Sequence, residues 1–235
     1  MIILLLQVLL VSAQNVVYDE NAEVRTVGSF TSIEVSGTIS LYLSQGTSAG
    51  VAISAGDAKY NSKIKTEVVN GVLKLSVDGG LWNGFNWTNR KLKAYVTVTD
   101  LNRLEVSGAS YVTITGSVKS KTLGLDISGA SEVKGAINTD KLNMTISGAS
   151  VARLSGVVSE GLIDASGACK VSSYNLVFDT CKISSSGVSD IRITVNNQLN
   201  ADASGGSTIY YKGAAVSKML NSSGGASIKY RGNED

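Results

Sequence analysis

Carboxylate side chains recur at one position of a repeated motif in this chain, and they are the first residues whose spacing indicates chemistry. Each copy of the motif resembles DISGAS and centres on a glycine. In four copies an acidic residue stands three positions before that glycine: Glu105, Asp126, Asp164 and Asp202. Two carboxylates about 5 Å apart are typical of retaining glycosidases, and a wider gap is typical of inverting ones. One interpretation is therefore a carbohydrate-active hydrolase or lyase that uses an outward carboxylate column.

The same column has a simpler explanation as the solvated face of a sheet. The other three copies carry Thr145, Ser184 and Asn221 at this position, which would separate the like charges. Arg103 and Lys182 flank the column in sequence and could hold an acidic sugar. We favour the solvated face and predict no catalytic residue here, with the carbohydrate-active enzyme as the alternative.

Several kinds of site are excluded by composition. The chain has no histidine, which removes Ser-His-Asp and Cys-His catalysis and every histidine-ligated metal site. We predict no metal and no cofactor. The net charge is +2 and acids alternate with bases along the chain, so no nucleic-acid partner is predicted.

The glycines that mark the motif copies are almost evenly spaced, at intervals of 18 to 21 residues: Gly108, Gly129, Gly148, Gly167, Gly187, Gly205 and Gly224. Two and four positions before most of them stand apolar residues, and this period of two predicts a strand with one inward face. A second strand follows each glycine, and a third apolar group lies near Val118 or Val157. Three short strands in about 19 residues predict one coil of a parallel β-helix, so the fold class is all-β.

Small residues at each bend fit a tight corner. Glycine tolerates positive φ there. Two positions after the glycine comes a serine or cysteine that would stack from coil to coil as a hydroxyl ladder: Ser110, Ser131, Ser150, Cys169, Ser189 and Ser207. The repetition predicts a structural role. Cys169 and Cys181 occupy different phases of the repeat, which argues against a disulfide between them, although an oxidising compartment would permit one.

The chain before the repeats is β-rich but less regular. Residues Ile33 to Leu43 look like an early copy of the motif, and Asn70-Gly71 between two apolar runs predicts a two-residue hairpin. We predict three segments: a signal peptide at 1–13, a β-rich capping region at 14–98 and β-helix repeats at 99–235.

The first residues, MIILLLQVLLVSAQ, predict a secretory signal cleaved after Ala13. No second apolar run is long enough to cross a bilayer, so no stable membrane span is expected after cleavage. The protein is therefore expected to be exported, to the periplasm, the cell surface or the medium.

Both tryptophans of the chain lie in its largest irregular stretch, DGGLWNGFNWTNRKLK. Aromatic residues on a polar loop are a usual means of stacking sugars or anchoring a protein, which makes Trp82, Phe85 and Trp87 candidate ligand-binding residues. The alternative is a loop that folds back to plug the open end of the coil.

The order of these segments resembles a known family. RTVGSFTSIEVSGTISLYLSQG, then TEVVNGVLKLSV, then YVTVTDLNRLEVSGAS, then serial SGAS copies ending in YYKGAAVSKMLNSSGGASI are similar to the GIN-domain family of autotransporter adhesin heads, common in Bacteroidetes. The resemblance spans about residues 23–230. It implies an exported right-handed β-helix whose function is not established.

Together these observations predict an exported β-helix adhesin that binds a glycan or a surface protein without catalysis. The enzyme described above is one alternative, and a structural envelope component that stacks end to end is another. Ligand identity and oligomeric state are left open by the sequence.

Overall fold

The computed structural model describes residues 19–78 and 91–232, and these are built almost wholly of β-strands. One short 3-10 helix, Ala58–Lys63, lies among them. Within the described residues no helix is long and apolar enough to cross a membrane. The described strands in chain order are β1 (Glu23–Val24), β2 (Ser32–Val35), β3 (Ser40–Gln45), β4 (Gly50–Ser54), β5 (Ile64–Val69), β6 (Val72–Val77), β7 (Lys93–Val98), β8 (Arg103–Val106), β9 (Tyr111–Ile127), β10 (Glu132–Ile146), β11 (Val151–Ala165), β12 (Lys170–Ser185), β13 (Asp190–Ala203), β14 (Thr208–Lys212), β15 (Ser217–Ser222) and β16 (Ser227–Tyr230).

Long bent strands stack in parallel to form a solenoid. β9 pairs with β10, β10 with β11, β11 with β12 and β12 with β13, each in parallel. The next rung is split, since β14 and β15 both pair with β13. The solenoid has about seven turns with rungs about 19 residues apart, which confirms the all-β parallel β-helix predicted from the glycine spacing.

One rung of the solenoid lies early in the chain. β2 pairs in parallel with β8, and β3 with β9, so the early motif copy predicted near Ile33 is a rung. β6 pairs in parallel with β2, and β5 continues this edge antiparallel to β6. Val69 pairs with Val72 across Asn70-Gly71, which confirms the predicted hairpin. The division of the chain at residue 98 stays a prediction.

Inward side chains of successive rungs stack into apolar columns, as the period of two predicts. Leu125, Met144 and Ile163 form one column and are fully buried. Two expectations are wrong. Val157 is exposed because Gly156, rather than Val157, occupies the inward slot in register with Ile137. Leu220 is 39% exposed because its rung, β15, has no further described rung against it.

From Gly37 to Gly205, successive glycine corners are joined by a backbone hydrogen bond. The N–H of the residue after one glycine donates to the carbonyl of the glycine one rung earlier, as in Ala130 N to Gly108 O at 2.7 Å. The corner serines are buried, as predicted. Their hydroxyls donate chiefly to backbone carbonyls, as Ser150 Oγ does to Gly129 O at 3.3 Å, because the bent backbone brings a carbonyl closer than the next hydroxyl. Most corners therefore satisfy backbone and side chain together, although the buried Ser110 hydroxyl has no hydrogen-bond partner among the described residues.

The two cysteines are free and buried in different surroundings. Cys169 Sγ lies 3.5 Å from Ser189 Oγ, in the serine column, whereas Cys181 aligns with Gly161 and Leu199 in an apolar column. Burial raises the pKa of the Cys181 thiol well above its usual range. Cys169 thus lies in a column of hydroxyl groups, whereas Cys181 Sγ, within the described part of the chain, reaches only the Lys182 carbonyl oxygen, at 3.9 Å.

We therefore expect opposite results from the same substitution at the two cysteines. Cys169→Ser should stay within about 0.5 kcal/mol of the native free energy of unfolding, because it completes the serine column. Cys181→Ser should cost about 1 to 3 kcal/mol, because it buries a hydroxyl in an apolar column. Urea unfolding under reducing conditions measures both, and equal losses would contradict the assignment of the two slots.

Asp19 ties the N-terminal edge of the sheet together. Its carboxylate accepts hydrogen bonds from Lys93 Nζ at 2.8 Å, Tyr95 Oη at 2.8 Å and Ser54 Oγ at 2.9 Å. The Lys93 ammonium, against an opposing effect of burial and with help from the two hydroxyls, holds the pKa of Asp19 well below its usual range. The contact joins β4 and β7 to the chain that precedes β1.

Asp19→Asn should lower the free energy of unfolding at pH 7 by about 1.5 to 3 kcal/mol, the range for hydrogen bonds to a charged group. The pKa of Asp19 is lower in the folded protein than in the unfolded chain. The stabilisation by the Asp19 carboxylate is therefore fully present above the unfolded pKa, near 3.8, and is lost as the pH falls from there through the folded pKa. The gap between native and variant unfolding curves should therefore narrow in acid. Asp140→Asn, at an exposed position, is the matched control, and a gap independent of pH would contradict the prediction.

Candidate functional site

The outward residues three positions before each glycine form one continuous column. Strand register places Glu105 beside Asp126, Asp126 beside Thr145, and Thr145 beside Asp164. The column then continues through Ser184, Asp202 and Asn221. Adjacent members are one rung apart, about 4.8 Å along the axis. The predicted alignment of these side chains is therefore present in the fold.

The carboxylates in the N-terminal part of the column are engaged in ion pairs. Arg103 Nη2 lies 2.7 Å from Asp126 Oδ2 and 3.7 Å from Glu105 Oε2. In the preceding rungs Glu34 pairs with Lys74 at 2.9 Å. A glycosidase needs one carboxyl group free to give a proton to the leaving oxygen. Glu105 and Asp126 share a guanidinium instead, so this pair is suited to holding the sheet face together.

The C-terminal part of the column forms a shallow groove of about 400 Å³. We call it the groove. Asp164 and Asp202 lie on either side of Ser184, two rungs apart, and Asn221 Nδ2 donates to Asp202 Oδ1 at 2.7 Å. The lining consists of the following residues: Thr145, Asp164, Ala165, Ser166, Ser184, Ser185, Ser186, Asp202, Ala203, Ser204, Asn221, Ser222 and Ser223. The groove is thus a repeating array of hydroxyl, carboxylate and amide groups.

Core side chains become smaller under the groove. The inward residues two before each glycine are Val106, Ile127 and Ile146 in the earlier rungs, and Ala165, Ser185 and Ala203 beneath the groove. The groove thus coincides with rungs whose inward side chains at this position are smaller than those of the earlier rungs. The Ser185 hydroxyl is buried there without a hydrogen-bond partner.

One set of groove residues was not predicted as functional from the sequence. A serine stands directly before every marker glycine, and in the groove these are Ser166, Ser186, Ser204 and Ser223. Their hydroxyls double the number of hydrogen-bonding groups on each rung. The signal in the sequence is the serine one position before each glycine, which a tight corner built of small residues also explains.

The remaining predicted residues are placed as follows. Arg103 flanks the column and contacts it, whereas Lys182 is exposed and aligns with Leu162 and Asn200. Trp82, Phe85 and Trp87 lie outside the described residues, as does the predicted signal peptide at 1–13. Among residues 19–78 and 91–232, no group of three or more His, Cys, Asp or Glu side chains could hold a metal ion.

Comparison with known families gives one match that covers most of the chain. The family model described as "Putative auto-transporter adhesin, head GIN domain" matches residues 29–215. No relative of the chain was found among curated proteins.

Solved structures with the same fold include three from Bacteroides and Parabacteroides species. A "putative adhesin" from Bacteroides fragilis has a TM-score of 0.82 and 24% identity, over 89% of this chain and 96% of that one. A "putative adhesin" from Parabacteroides distasonis has a TM-score of 0.65 and 18% identity, over 88% and 96%. A "putative lipid binding protein" from the same species has a TM-score of 0.64 and 19% identity, over 90% and 98%. At these identities the likeness concerns the fold alone.

Proposed function

The chain belongs to the family described as "Putative auto-transporter adhesin, head GIN domain", and from this premise we propose that it is an exported, non-catalytic module that binds a glycan chain in the groove. Polar side chains in register along the groove are the observation that carries the proposal. Hydroxyl, carboxylate and amide groups repeat at about 4.8 Å, so an elongated ligand rich in hydroxyls can be contacted on successive rungs.

The lining of the groove favours a glycan over a protein partner. Protein interfaces depend on aromatic, arginine or large apolar anchors in desolvated pockets. The groove is lined instead by Ser, Thr, Asn, Asp and Ala. Asp164 and Asp202 accept charge-assisted hydrogen bonds from sugar hydroxyls or amino groups, and they repel an acidic sugar. The expected ligand is therefore a neutral or amino-sugar glycan.

Binding without turnover fits the same residues. Asp164 and Asp202 are about 10 Å apart along the axis, because Ser184 separates them. Asp202 is held by the Asn221 amide, and the groove is shallow. A shallow site exposes a sugar to water along its length, whereas cleavage needs an enclosed site that keeps both carboxyl groups on one glycosidic bond.

A groove-filling variant gives the direct test on a glycan array. Ser184→Arg places a long side chain between Asp164 and Asp202. Both carboxylates can form ion pairs with the new guanidinium group, so the variant should still fold. We expect retention of the ligand to fall at least about tenfold, which corresponds to about 1.4 kcal/mol. Thr122→Arg introduces the same side chain at an exposed position on another face and should leave retention unchanged.

The array experiment uses residues 14–235 and assays released sugar in the same wells. Retention without release supports the proposal. Sustained release that disappears in Asp126→Asn or in Asp164→Asn would overturn it in favour of a carbohydrate-active enzyme. No retention on any glycan would also overturn it and would favour the structural envelope role.

The tryptophan segment is a second proposed binding element of the same adhesin. A Trp82→Ala, Trp87→Ala double variant tests it independently of the groove. Lost retention in this variant, with the groove intact and the fold kept, would assign the ligand to Trp82, Phe85 and Trp87. Retention equal to that of the native chain would remove these residues from the site.

A further inference from the structure

A second outward face of the solenoid gathers positive charge. It is formed mainly by residues three, five and seven positions after the marker glycines, and we call it the basic face. Between Glu132 and Arg231 the carboxylates on it are Glu132 and Asp190. The cations on it are Lys134, Arg153, Lys170, Arg192, Lys212, Lys229 and Arg231. The near-neutral whole chain, at +2, thus carries a basic face and a groove lined by carboxylates on separate surfaces.

The last rungs of the basic face form a compact cluster around Tyr210. Register places Tyr210 between Arg192 and Lys229 on adjacent strands. The Arg192 guanidinium carbon lies 5.5 Å from the centre of the Tyr210 ring, and that of Arg231 lies 4.3 Å from it. Cation–π contacts of this kind hold a guanidinium in place while its N–H groups still point outward.

A second ring supports the same cluster. Lys212 Nζ lies 4.9 Å from the centre of the Tyr174 ring. Burial raises the pKa of Tyr174, and the nearby guanidinium groups of Arg192 and Arg231 oppose the rise, which reflects how close these cations are to one another. The two rings thus fix a group of cations that would otherwise repel and spread.

The charge of this cluster is only partly neutralised. Arg192 makes two hydrogen bonds to Asp190, at 2.8 and 3.0 Å. Lys170, Lys229 and Arg231 form no ion pair with any carboxylate in the described part of the chain. Clustered cations that lack ion-pair partners create a positive potential that attracts an anionic partner.

We propose that the basic face binds an acidic polysaccharide, one bearing carboxylate or sulfate groups, across Lys170, Arg192, Tyr210, Lys229 and Arg231. The charged positions recur at about 4.8 Å over several rungs, which suits a chain with regularly repeated anions. The Arg231 fork offers paired N–H donors to a planar carboxylate or to a sulfate.

The contacts of the rings argue for a polysaccharide over a nucleic acid. Single-stranded nucleic acids stack their bases on open aromatic faces. Cations already pack against the rings of Tyr174 and Tyr210. A ligand that needs the cations but not the ring faces fits this cluster best.

The test compares polymers of one backbone length and different charge. Fluorescent dextran sulfate and polygalacturonate should bind at low salt, and neutral dextran should not. Lys229→Ala, Arg231→Ala should weaken binding at least about tenfold, the scale of lost charged hydrogen bonds. The slope of log K against log salt should fall in magnitude by about 1.5 for two lost contacts.

A matched control removes two exposed lysines from another face, through Lys121→Ala, Lys141→Ala, and should leave the affinity within about twofold, as expected when only long-range screened charge changes. Equal loss in both double variants would show a general charge effect and overturn the site. Stronger binding of single-stranded DNA or of anionic lipid vesicles than of either polysaccharide would overturn the choice of partner. Preference between dextran sulfate and polygalacturonate identifies sulfate or carboxylate as the recognised group.

This site is independent of the groove. Ser184→Arg, which fills the groove, should leave binding of dextran sulfate unchanged, whereas Lys229→Ala, Arg231→Ala should leave binding of a neutral glycan in the groove unchanged. If binding at one of the two sites is not observed, the proposal for the other site is therefore unaffected.

Discussion

Replacing Gly129 by alanine is expected to lower the free energy of unfolding by more than about 4 kcal/mol, a loss that few single substitutions reach. Gly129 has φ of +76°, and a Cβ there would lie 2.3 Å from the Gly108 carbonyl oxygen of the rung before. That oxygen accepts the hydrogen bond from Ala130 that joins the two corners. The backbone cannot move away from the Cβ without breaking this bond.

Gly116→Ala is the matched control for Gly129→Ala. Gly116 has φ of +77°, but no atom lies within 4 Å of a Cβ built there. It should therefore cost only the strain of positive φ, about 1 to 2 kcal/mol. Urea unfolding of the two variants separates conformational strain from the stacking of rungs. Equal losses at the two positions would show that φ, and not contact between rungs, explains the glycine column.

The corners also show why so much of this fold could be predicted. A solenoid repeats its constraints once per rung, so Gly108, Gly129 and their counterparts restate one rule seven times in the sequence. The inward strand positions and the buried serines follow from the same period. A single-copy feature has no such repetition, which is why the third apolar group predicted near Val157 does not hold in this rung, where Gly156 is in register with Ile137 and Val157 is exposed.

The two candidate surfaces were harder to predict than the fold. The groove coincides with Ala165, Ser185 and Ala203, which are smaller than their counterparts in earlier rungs, and only the coordinates show a depression there. The basic face could not be predicted because Asp190 and Arg192 are close in sequence, where their charges cancel. In the fold they lie beside residues of other rungs, among which cations prevail. Charge that looks evenly mixed along a chain can be segregated once it is wound with a period of about 19 residues.

Contacts between different inward columns are the hardest features of this fold to predict from sequence. The contact between Gly161 and Phe178 is the clearest case. Gly161 aligns with Leu142 and Cys181 in a column where larger apolar side chains are the rule. A Cβ on Gly161 would lie 2.4 Å from Phe178 Cε1. The buried ring reaches back from the following rung and fills the space that a side chain at 161 would occupy.

A double-mutant cycle should reveal this exchange of volume as a coupling of at least about 2 kcal/mol. Phe178→Ala alone should cost about 3 to 5 kcal/mol, because it leaves a cavity in the core. Gly161→Ala alone should cost about 1 to 3 kcal/mol by overpacking against the ring. In the Phe178→Ala background the same methyl group enters the cavity, so the double variant should unfold at higher urea than Phe178→Ala.

Gly124→Ala controls for the general effect of adding a methyl group to a strand glycine. A Cβ at Gly124 would meet Arg103 Cγ at an ordinary 3.5 Å, so this change should lie within about 0.5 kcal/mol of the native chain. Additive losses at 161 and 178 would mean that the ring does not require the glycine. A positive coupling would instead show that one rung lacks a side chain at this position so that its neighbour can bury a phenylalanine, a dependence that a strict repeat would not display.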